Sequence, residues 1–171
     1  MPAKRILVRS YRPADDLALR PLYEAVGEQE HAARERDFEM CWVAELAEGS
    51  IVGVLAARVV GQSQAADVDT AERSGQPGVE AVLAQGAVGE LKRLRVHPDW
   101  RRQGIATRLT QSAIEWAAAR QLRALVLNTT PAQLPALALY TKLGFREIGR
   151  SRVGRFELIW LALPIRSATR P

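Results

Sequence analysis

A strand, a basic turn and an amphipathic helix follow one another between Ala87 and Arg120. Ala87–Val96 alternates with the period of two that is typical of a strand, and Pro98 ends it. After the turn, apolar residues recur at helical spacing as far as Arg120. The residues expected on one strand face are Val88, Glu90, Lys92, Leu94 and Val96, and those on the helix face are Ile105, Leu109, Ala113, Trp116 and Ala117. A strand joined to a helix by a short turn indicates an α/β fold.

The first 60 residues predict a strand, a helix and a hairpin. Ile6–Arg9 is a short apolar strand, and Asp15 or Asp16 could cap a helix that follows it. Pro21 should interrupt that helix, because proline lacks the backbone N–H and its ring clashes with the preceding turn. The hairpin consists of two runs rich in β-branched residues around a turn, Met40–Leu46 and Ile51–Val60.

The segment 61–86 contrasts with the rest of the chain, because it is rich in small and polar residues and poor in large apolar ones. A segment of this length without periodicity is typical of a mobile loop or a functional lid. We expect a mobile insertion in a single domain that spans residues 1–171. A substrate-binding lid is the alternative.

The remaining elements complete the predicted sheet. Ala124–Leu127 predicts a buried strand, and Phe156–Leu163 predicts a final apolar strand. Pro135 suits the first residue of a helix, and Gly144 suits the left-handed cap at its end. Strands that alternate with helices after a hairpin predict a three-layer α/β/α fold, with a mixed, mostly antiparallel sheet of about six to seven strands.

Composition excludes several classes of protein. With 47% apolar and 25% charged residues, the chain has the average composition of a globular protein. No apolar run approaches the roughly 20 residues that cross a bilayer, and the single cysteine, Cys41, lies in an apolar run typical of an inert core thiol. We therefore expect a cytoplasmic protein without a membrane partner. The net charge of +5 is mostly local, because Glu90–Arg108 contains six basic and two acidic residues.

The turn Arg101–Ala106 has the chemistry of an anion site. A helix start leaves backbone N–H groups without partners and carries about half a positive charge, which favours phosphate. Gly104 and Ala106 allow a close approach to the main chain, and Arg101 and Arg102 add charge-assisted hydrogen bonds. An ordinary strand-to-helix turn is the alternative, since the segment is neither the phosphate loop ending in Gly-Lys-Ser/Thr nor the three-glycine dinucleotide fingerprint.

Two motifs resemble landmarks of the GNAT superfamily of acetyl-CoA-dependent N-acyltransferases. Leu94–Ala106, LRVHPDWRRQGIA, is similar to the family loop Gln/Arg-x-x-Gly-x-Gly/Ala at a helix start. Ala136–Phe145, ALALYTKLGF, is similar to a second landmark, a helix ending in Leu-Tyr-x-x-x-Gly-Phe. The resemblance covers Ala87–Trp160. It implies a GNAT-like sheet whose central strand splays from its neighbour.

The resemblance also implies how acetyl-CoA is bound. Main-chain amides of the loop would hold the pyrophosphate, and the splayed strand would pair with the pantetheine arm through Leu94 and Val96. The N–H of Leu94 would polarise the thioester carbonyl, while both side chains can still serve the core. The implied cofactor-binding residues are Leu94, Arg95, Val96, Arg101, Arg102, Gln103, Gly104, Ile105, Ala106, Thr107, Asn128, Gln133 and Tyr140.

Two residues are candidates for proton transfer. Tyr140 matches the family tyrosine that can protonate the departing thiolate; a core tyrosine with its hydroxyl at the surface is the alternative. Glu90 lies six residues before Val96, where the histone-acetylating branch carries its general base. A carboxylate needs burial or a relaying water for that task, and an ion pair with Lys92 or Arg93 is the alternative.

Two positions depart from the family pattern. Gln133 stands where relatives often have Asn, seven residues before the tyrosine, so that its contact with the donor would be displaced. Arg102 stands where many relatives have Gly, which makes the loop more basic and less flexible. Leu127–Thr130 is similar to the branch of vertebrate cysteine-conjugate acetyltransferases, but the apolar anchoring segment of that branch is missing here.

The sequence thus predicts an N-acetyltransferase that needs no metal and passes an acetyl group from acetyl-CoA to a primary amine by direct attack in a ternary complex. The acceptor is a small molecule or a peptide, and a homodimer is compatible with the resemblance. A non-catalytic acyl-CoA sensor on the same fold is the alternative. A nucleic acid is not expected as a partner, because Trp100 and Trp116 alone accompany the basic cluster and Trp116 follows the apolar helix period.

Overall fold

The computed structural model of the chain describes residues 5–28, 38–61 and 77–166. The strands in these ranges are β1 (Ile6–Ser10), β2 (Met40–Leu46), β3 (Ile51–Val60), β4 (Val88–Val96), β5 (Ala124–Thr129), β6 (Arg146–Val153) and β7 (Phe156–Pro164). The α-helices in the same ranges are α1 (Asp16–Ala25), α2 (Pro77–Leu83), α3 (Ile105–Ala119) and α4 (Leu134–Lys142). The seven strands form one open sheet in the order β1-β2-β3-β4-β5-β7-β6. The predicted fold class is confirmed.

The sheet is mixed and mostly antiparallel, as predicted. β1 pairs with β2, β2 with β3, β5 with β7 and β6 with β7, all in antiparallel orientation. β4 and β5 form a parallel pair, with Gly89 opposite Leu125 and Glu90 opposite Val126. The splaying of β4 beyond Glu90 stays a prediction.

The sequence does not predict β6, because four of its eight residues are charged. β6 is an edge strand, where charged side chains discourage pairing with other chains. The guanidinium of Arg150 donates to Glu147 at 2.7 Å and to Glu157 at 3.2 Å. The hydrogen bond from Arg150 holds the pKa of Glu147 below its usual value.

The first of two compact units comprises Met1–Arg58 and Leu91–Ala113. Contrary to the prediction, α1 continues through Pro21. Pro21 is exposed, and the carbonyl that it leaves without a helical partner belongs to Leu17, which is 71% exposed, so that water can solvate that carbonyl. The core of this unit joins α1 to the hairpin through Leu19, Leu22, Tyr23, Cys41, Val43, Ile51, Val54 and Ala56. Cys41 is buried and is not part of a disulfide, as predicted.

An ion-pair cluster fixes the start of α1 to β1 and β2. Arg9 donates to both carboxylate oxygens of Asp15, at 2.8 and 2.9 Å, and to Glu45 at 2.7 Å. Asp15 also accepts the backbone N–H of Arg12, so its carboxylate does not cap α1. The hydrogen bond from Arg9 lowers the pKa of Asp15, and this contribution to stability is therefore lost as the pH falls through that lowered pKa.

The second unit comprises Val59–Glu90 and Ile114–Pro171. Its core surrounds the fully buried Trp160, whose indole N–H donates to the hydroxyl of Ser151 at 2.9 Å. This hydrogen bond satisfies the one polar atom of a large buried side chain. The buried residues of the cluster are Val60, Val79, Leu83, Val88, Ala124, Val126, Trp160 and Ala162.

Residues 77–83, which the sequence analysis places in a mobile insertion, form the helix α2. Val79 and Leu83 lie one helical turn apart and are both buried in the core of the second unit. The backbone of α2 approaches β6 so closely that a Cβ on Gly78 would lie 1.8 Å from the carbonyl oxygen of Ile148. Only glycine fits at this position. Residues 62–76, which also belong to the predicted insertion, lie outside the described residues.

Candidate active site

The predicted anion site lies at the start of α3, in the first unit. A 3-10 turn, Pro98–Trp100, follows β4, and an exposed turn then leads to α3 with φ values of 62° at Arg102 and 75° at Gly104. The N–H of Arg108 donates to the carbonyl of Gly104 at 3.0 Å. Gly104 therefore precedes the first helical residue. The N–H groups without a partner inside the helix are those of Ile105, Ala106 and Thr107.

The start of α3 is held rigidly by its buried face. Ile105 and Leu109 are buried, and both approach Gly53 of β3. A Cβ on Gly53 would lie 2.8 Å from Ile105 Cγ2 and 3.1 Å from Leu109 Cδ1. The glycine allows the helix to lie close against the strand, so the N–H groups of the first turn keep a fixed position.

Two arginines near the turn have structural partners. Nε of Arg101 donates to the carbonyl of Val96 at 3.3 Å, and Nη2 of Arg108 donates to the carbonyl of Ile6 at 2.7 Å. Arg102 and Gln103 are exposed and form no hydrogen bond or ion pair with other residues in the described ranges. Arg102 is therefore the cation of the turn that is best placed to meet an external anion.

The turn fits a diphosphate. A Cβ placed on Gly104 would have no atom within 4 Å, so the space in front of the helix start is open. The helix start offers an anion three N–H donors and the positive end of the helix, and the exposed Arg102 lies in the same turn. Binding of the pyrophosphate of acetyl-CoA at this turn stays a prediction.

The second half of β4 departs from regular strand geometry. Arg93 has a φ of 60°, which is uncommon for a residue other than glycine. The expectation that Glu90 shares a face with Leu94 and Val96 assumes uninterrupted alternation along β4, and it stays a prediction.

Arg95, a predicted cofactor residue, is engaged within the first unit. Its Nε donates to Glu28 at 2.5 Å, and its Nη1 donates to the carbonyl of Leu94 at 3.0 Å. The carbonyl of Leu94 is thus occupied by a side chain. The role proposed for Leu94 uses its N–H, which this contact leaves unaffected.

Glu90, the candidate base, belongs to the second unit and is 1% exposed. Its backbone lies opposite Val126 in the parallel pair of strands. Oε1 accepts no hydrogen bond from the described residues, although the side chain has other interactions. Glu90 therefore meets the burial condition that the sequence sets for a base. Its role stays a prediction.

Tyr140, the candidate acid, is held by the cap of α4. Gly144 has a φ of 95°, and the N–H of Phe145 donates to the carbonyl of Tyr140 at 2.9 Å, which closes the helix as a Schellman cap. The rings of Tyr140 and Phe145 meet edge to face with centroids 5.3 Å apart. Tyr140 is 6% exposed. The predicted left-handed cap is confirmed, and it fixes the tyrosine ring.

The side-chain amides of Gln133 and Asn128, two predicted cofactor-binding residues, have different surroundings. The hydroxyl of Thr129 donates to Oε1 of Gln133 at 2.5 Å, a contact that the sequence does not predict. The donor that Gln133 retains is therefore its amide nitrogen. Asn128 is half-buried in β5, opposite Trp160 of β7. Binding of acetyl-CoA by Gln133 and Asn128 stays a prediction.

Family membership follows from comparison with known proteins. Residues 5–145 match the family model described as the acetyltransferase (GNAT) family. Because the match covers most of the chain, the protein belongs to the GNAT acetyltransferase family. The resemblance carried by the two sequence motifs is confirmed.

Characterised relatives match part of the chain. The chain is 33% identical over 108 residues to N-acetylaspartate synthetase of Xenopus tropicalis, and this match covers 63% of the chain and 31% of the relative. The chain is 35% identical over 74 residues to human N-acetyltransferase 8, and this match covers 43% of the chain and 31% of the relative. The chain is 39% identical over 72 residues to IAA acetyltransferase of Azospirillum brasilense, and this match covers 42% of the chain and 47% of the relative. The chain spans less than half the length of each of these relatives.

Solved structures share the fold over nearly the whole chain. The ribosomal-protein-S18-alanine N-acetyltransferase of Escherichia coli has a TM-score of 0.71 at 21% identity, covering 96% of both chains. Arabidopsis thaliana NAA60 in complex with acetyl-CoA has a TM-score of 0.70 at 19% identity, covering 94% of this chain and 99% of that one. At these identities the likeness shows the fold.

Two further observations concern the described part of the chain. None of its helices is long and apolar enough to cross a membrane. It contains no group of three or more His, Cys, Asp or Glu residues that could hold a metal ion. The predicted independence from metal stays a prediction.

Proposed function

We propose that the protein transfers an acetyl group from acetyl-CoA to a primary amine, by direct attack while both substrates are bound. The observation that carries this proposal is the open, basic start of α3, where Gly104 leaves room for a diphosphate. Family membership supports the reaction type. A solved structure of the same fold contains acetyl-CoA.

The first unit would bind the donor. The N–H groups of Ile105, Ala106 and Thr107, together with Arg102, would hold the pyrophosphate. The N–H of Leu94 would donate to the thioester carbonyl, where it stabilises the negative charge that develops on the oxygen during attack. The rigid packing of α3 against β3 keeps these donors aligned before the substrate arrives.

Glu90 and Tyr140 would carry out the proton transfers. The buried Glu90 would accept a proton from the ammonium group, directly or through a water, so that a neutral amine can attack. The amine nitrogen forms a bond to the carbonyl carbon, and the bond from that carbon to sulfur breaks. Tyr140 would donate its hydroxyl proton to the departing thiolate, and the phenolate would regain a proton from the nitrogen, directly or through a water, as the neutral amide forms. Its ring is held by Phe145 and by the cap at Gly144.

The acceptor belongs to the same proposal. The name of one relative refers to an acetylated amino acid, and that of one solved structure to an alanine of a ribosomal protein. Both fit a primary amine on a small molecule or a peptide. We further propose a single domain, a cytoplasmic location and no role in nucleic-acid binding, on the compositional grounds given above.

Initial rates measured while both substrates are varied should give intersecting double-reciprocal lines, because both substrates must be bound before the amine attacks. The mass of the protein after incubation with acetyl-CoA alone should be unchanged. Parallel lines together with an acetylated protein would contradict direct attack, since they are typical of a covalent intermediate.

A further inference from the structure

We propose that the ion pair of Glu28 and Arg95 fixes the direction of the Leu94 N–H, so that both side chains are positioning residues for acetyl transfer. Neither side chain needs to touch the reacting atoms, because both act through the backbone of Leu94. This inference rests on the proposed function, since it concerns the N–H that polarises the thioester carbonyl in that reaction.

Glu28 is held at the end of α1 by the cap of that helix. Gly27 has a φ of 81°, and its N–H donates to the carbonyl of Glu24 at 3.1 Å. The N–H of Glu28 donates to the carbonyl of Tyr23 at 2.8 Å. These two hydrogen bonds form a Schellman cap. Tyr23 is buried in the core of α1 and the hairpin, so the backbone of Glu28 has a fixed support.

Arg95 links this support to β4. Its Nε donates to Oε1 of Glu28 at 2.5 Å, and its Nη1 donates to the carbonyl of Leu94 at 3.0 Å. The side chains of Arg95 and Glu28 are 34% and 25% exposed, so water screens the pair only in part. The planar guanidinium bonds to both acceptors at once in a fixed geometry. The carbonyl of Leu94 is therefore tied to the end of α1 through two side chains.

The backbone just before Leu94 is strained. Arg93 has a φ of 60°, a conformation that persists in a residue other than glycine only where the surrounding structure imposes it. Rotation about the backbone of Arg93 would turn the peptide group that contains the N–H of Leu94. Arg95 and Glu28 hold Leu94 from its other side and oppose that rotation. Their bond to the carbonyl does not involve the N–H itself, but it restricts the direction in which that N–H points.

The direction of the N–H matters more for catalysis than the ion pair matters for folding. Removing one donor to an oxyanion lowers kcat by about 100- to 1000-fold, and a misdirected donor loses part of that effect. A partly exposed ion pair, in contrast, contributes little to stability. A pair that served folding alone would lower Tm and leave the thioester carbonyl unaffected.

Infrared spectroscopy of bound acetyl-CoA tests the N–H directly and needs no acceptor. The thioester carbonyl is labelled with carbon-13, and its absorption is compared between free and bound acetyl-CoA. In the unaltered protein the band should lie at a lower frequency than in free acetyl-CoA, because accepting a hydrogen bond weakens the C=O bond. In Glu28→Ala and in Arg95→Met the band should return towards its position in free acetyl-CoA.

Kinetics of the same two variants measures the consequence for transfer. With the best acceptor from a panel of amino acids, polyamines and peptides, each variant should lower kcat by about tenfold, part of the loss expected for a whole donor. The rise in Tm that acetyl-CoA produces should be unchanged, because the turn before α3 is intact. Arg95→Met keeps the apolar stem of the side chain, and the Tm of each variant without ligand establishes that it is folded.

Glu24→Ala is the matched control. It removes a carboxylate from the exposed side of the same helix end and keeps the backbone carbonyl that the cap uses. It should keep both the low frequency of the carbonyl band and the kcat of the unaltered protein.

The outcomes separate the two proposals. A band that keeps its low frequency in both Glu28→Ala and Arg95→Met would overturn the inference, as would a band that Glu24→Ala shifts equally. So would a bound carbonyl with the frequency of free acetyl-CoA in the unaltered protein. Each of these results leaves acetyl transfer itself intact. Absence of an acetylated amine anywhere in the panel would overturn the proposed function, and this inference with it.

Discussion

Gly104→Glu should abolish the binding of acetyl-CoA. The open space in front of the helix start would then contain a carboxylate, which repels the phosphates that we propose to bind there. Acetyl-CoA at about a hundred times its Kd should stabilise the unaltered protein by ~2.7 kcal/mol. For a chain of this size, that corresponds to a rise in Tm of roughly 5–10 °C. The variant should show no rise.

Gly104→Asn is the control for this prediction. Gly104 has a φ of 75°, which asparagine tolerates better than most residues, and asparagine adds no charge. This variant should keep a large part of the rise in Tm. The Tm of each variant without ligand shows whether the backbone strain alone affects stability. A folded Gly104→Glu protein with the full rise would show that the pyrophosphate binds elsewhere.

Tyr140→Phe should lower kcat by about 100-fold while the KM for acetyl-CoA changes little. The variant keeps the buried ring and its contact with Phe145, and it loses only the hydroxyl that we propose to protonate the thiolate. Steady-state kinetics over a range of pH measures both parameters.

The matched control for the hydroxyl is Phe145→Leu. It removes the ring contact 5.3 Å from Tyr140 but keeps the phenol and the glycine cap, so it should retain most of kcat. An unchanged kcat in Tyr140→Phe at every pH would show that another group or water protonates the thiolate. A large loss in both variants would assign the effect to ring position.

Short-range signals predicted much of the fold. The hairpin, α3 and the cap at Gly144 follow from residues within a few positions of one another: β-branched runs around a turn, apolar residues at helical spacing, and a glycine after a helix. Pro21 is the exception. Its effect depends on whether the freed carbonyl faces water, and that depends on which side of α1 is buried.

Features that depend on distant contacts were beyond sequence reasoning. α2 is stable because Val79 and Leu83 meet a core assembled from other strands, and Gly78 is needed because β6 lies against the helix. Half of the residues of β6 are charged, and the position of this strand at the edge of the sheet is a property of the assembled fold.

The candidate site also combines features that local sequence predicts with features that it does not predict. The turn before α3 and Tyr140 were predictable, because each belongs to a local motif. The left-handed backbone of Arg93 within β4 and the hydrogen bond from Thr129 to Gln133 have no local sequence signal. The expectation that Glu90 and Leu94 share a strand face assumes regular alternation, and it stays a prediction.

Acetyl transfer itself is the most direct test of the proposed function. The protein is incubated with isotopically labelled acetyl-CoA and a panel of amino acids, polyamines, aminoglycosides, cysteine conjugates and peptides, and the products are identified by mass spectrometry. We predict that at least one amine acquires the labelled acetyl group in an amount equal to the free thiol released, and that Gly104→Glu forms no product. Binding of acetyl-CoA without an acetylated amine anywhere in the panel would contradict the proposed function.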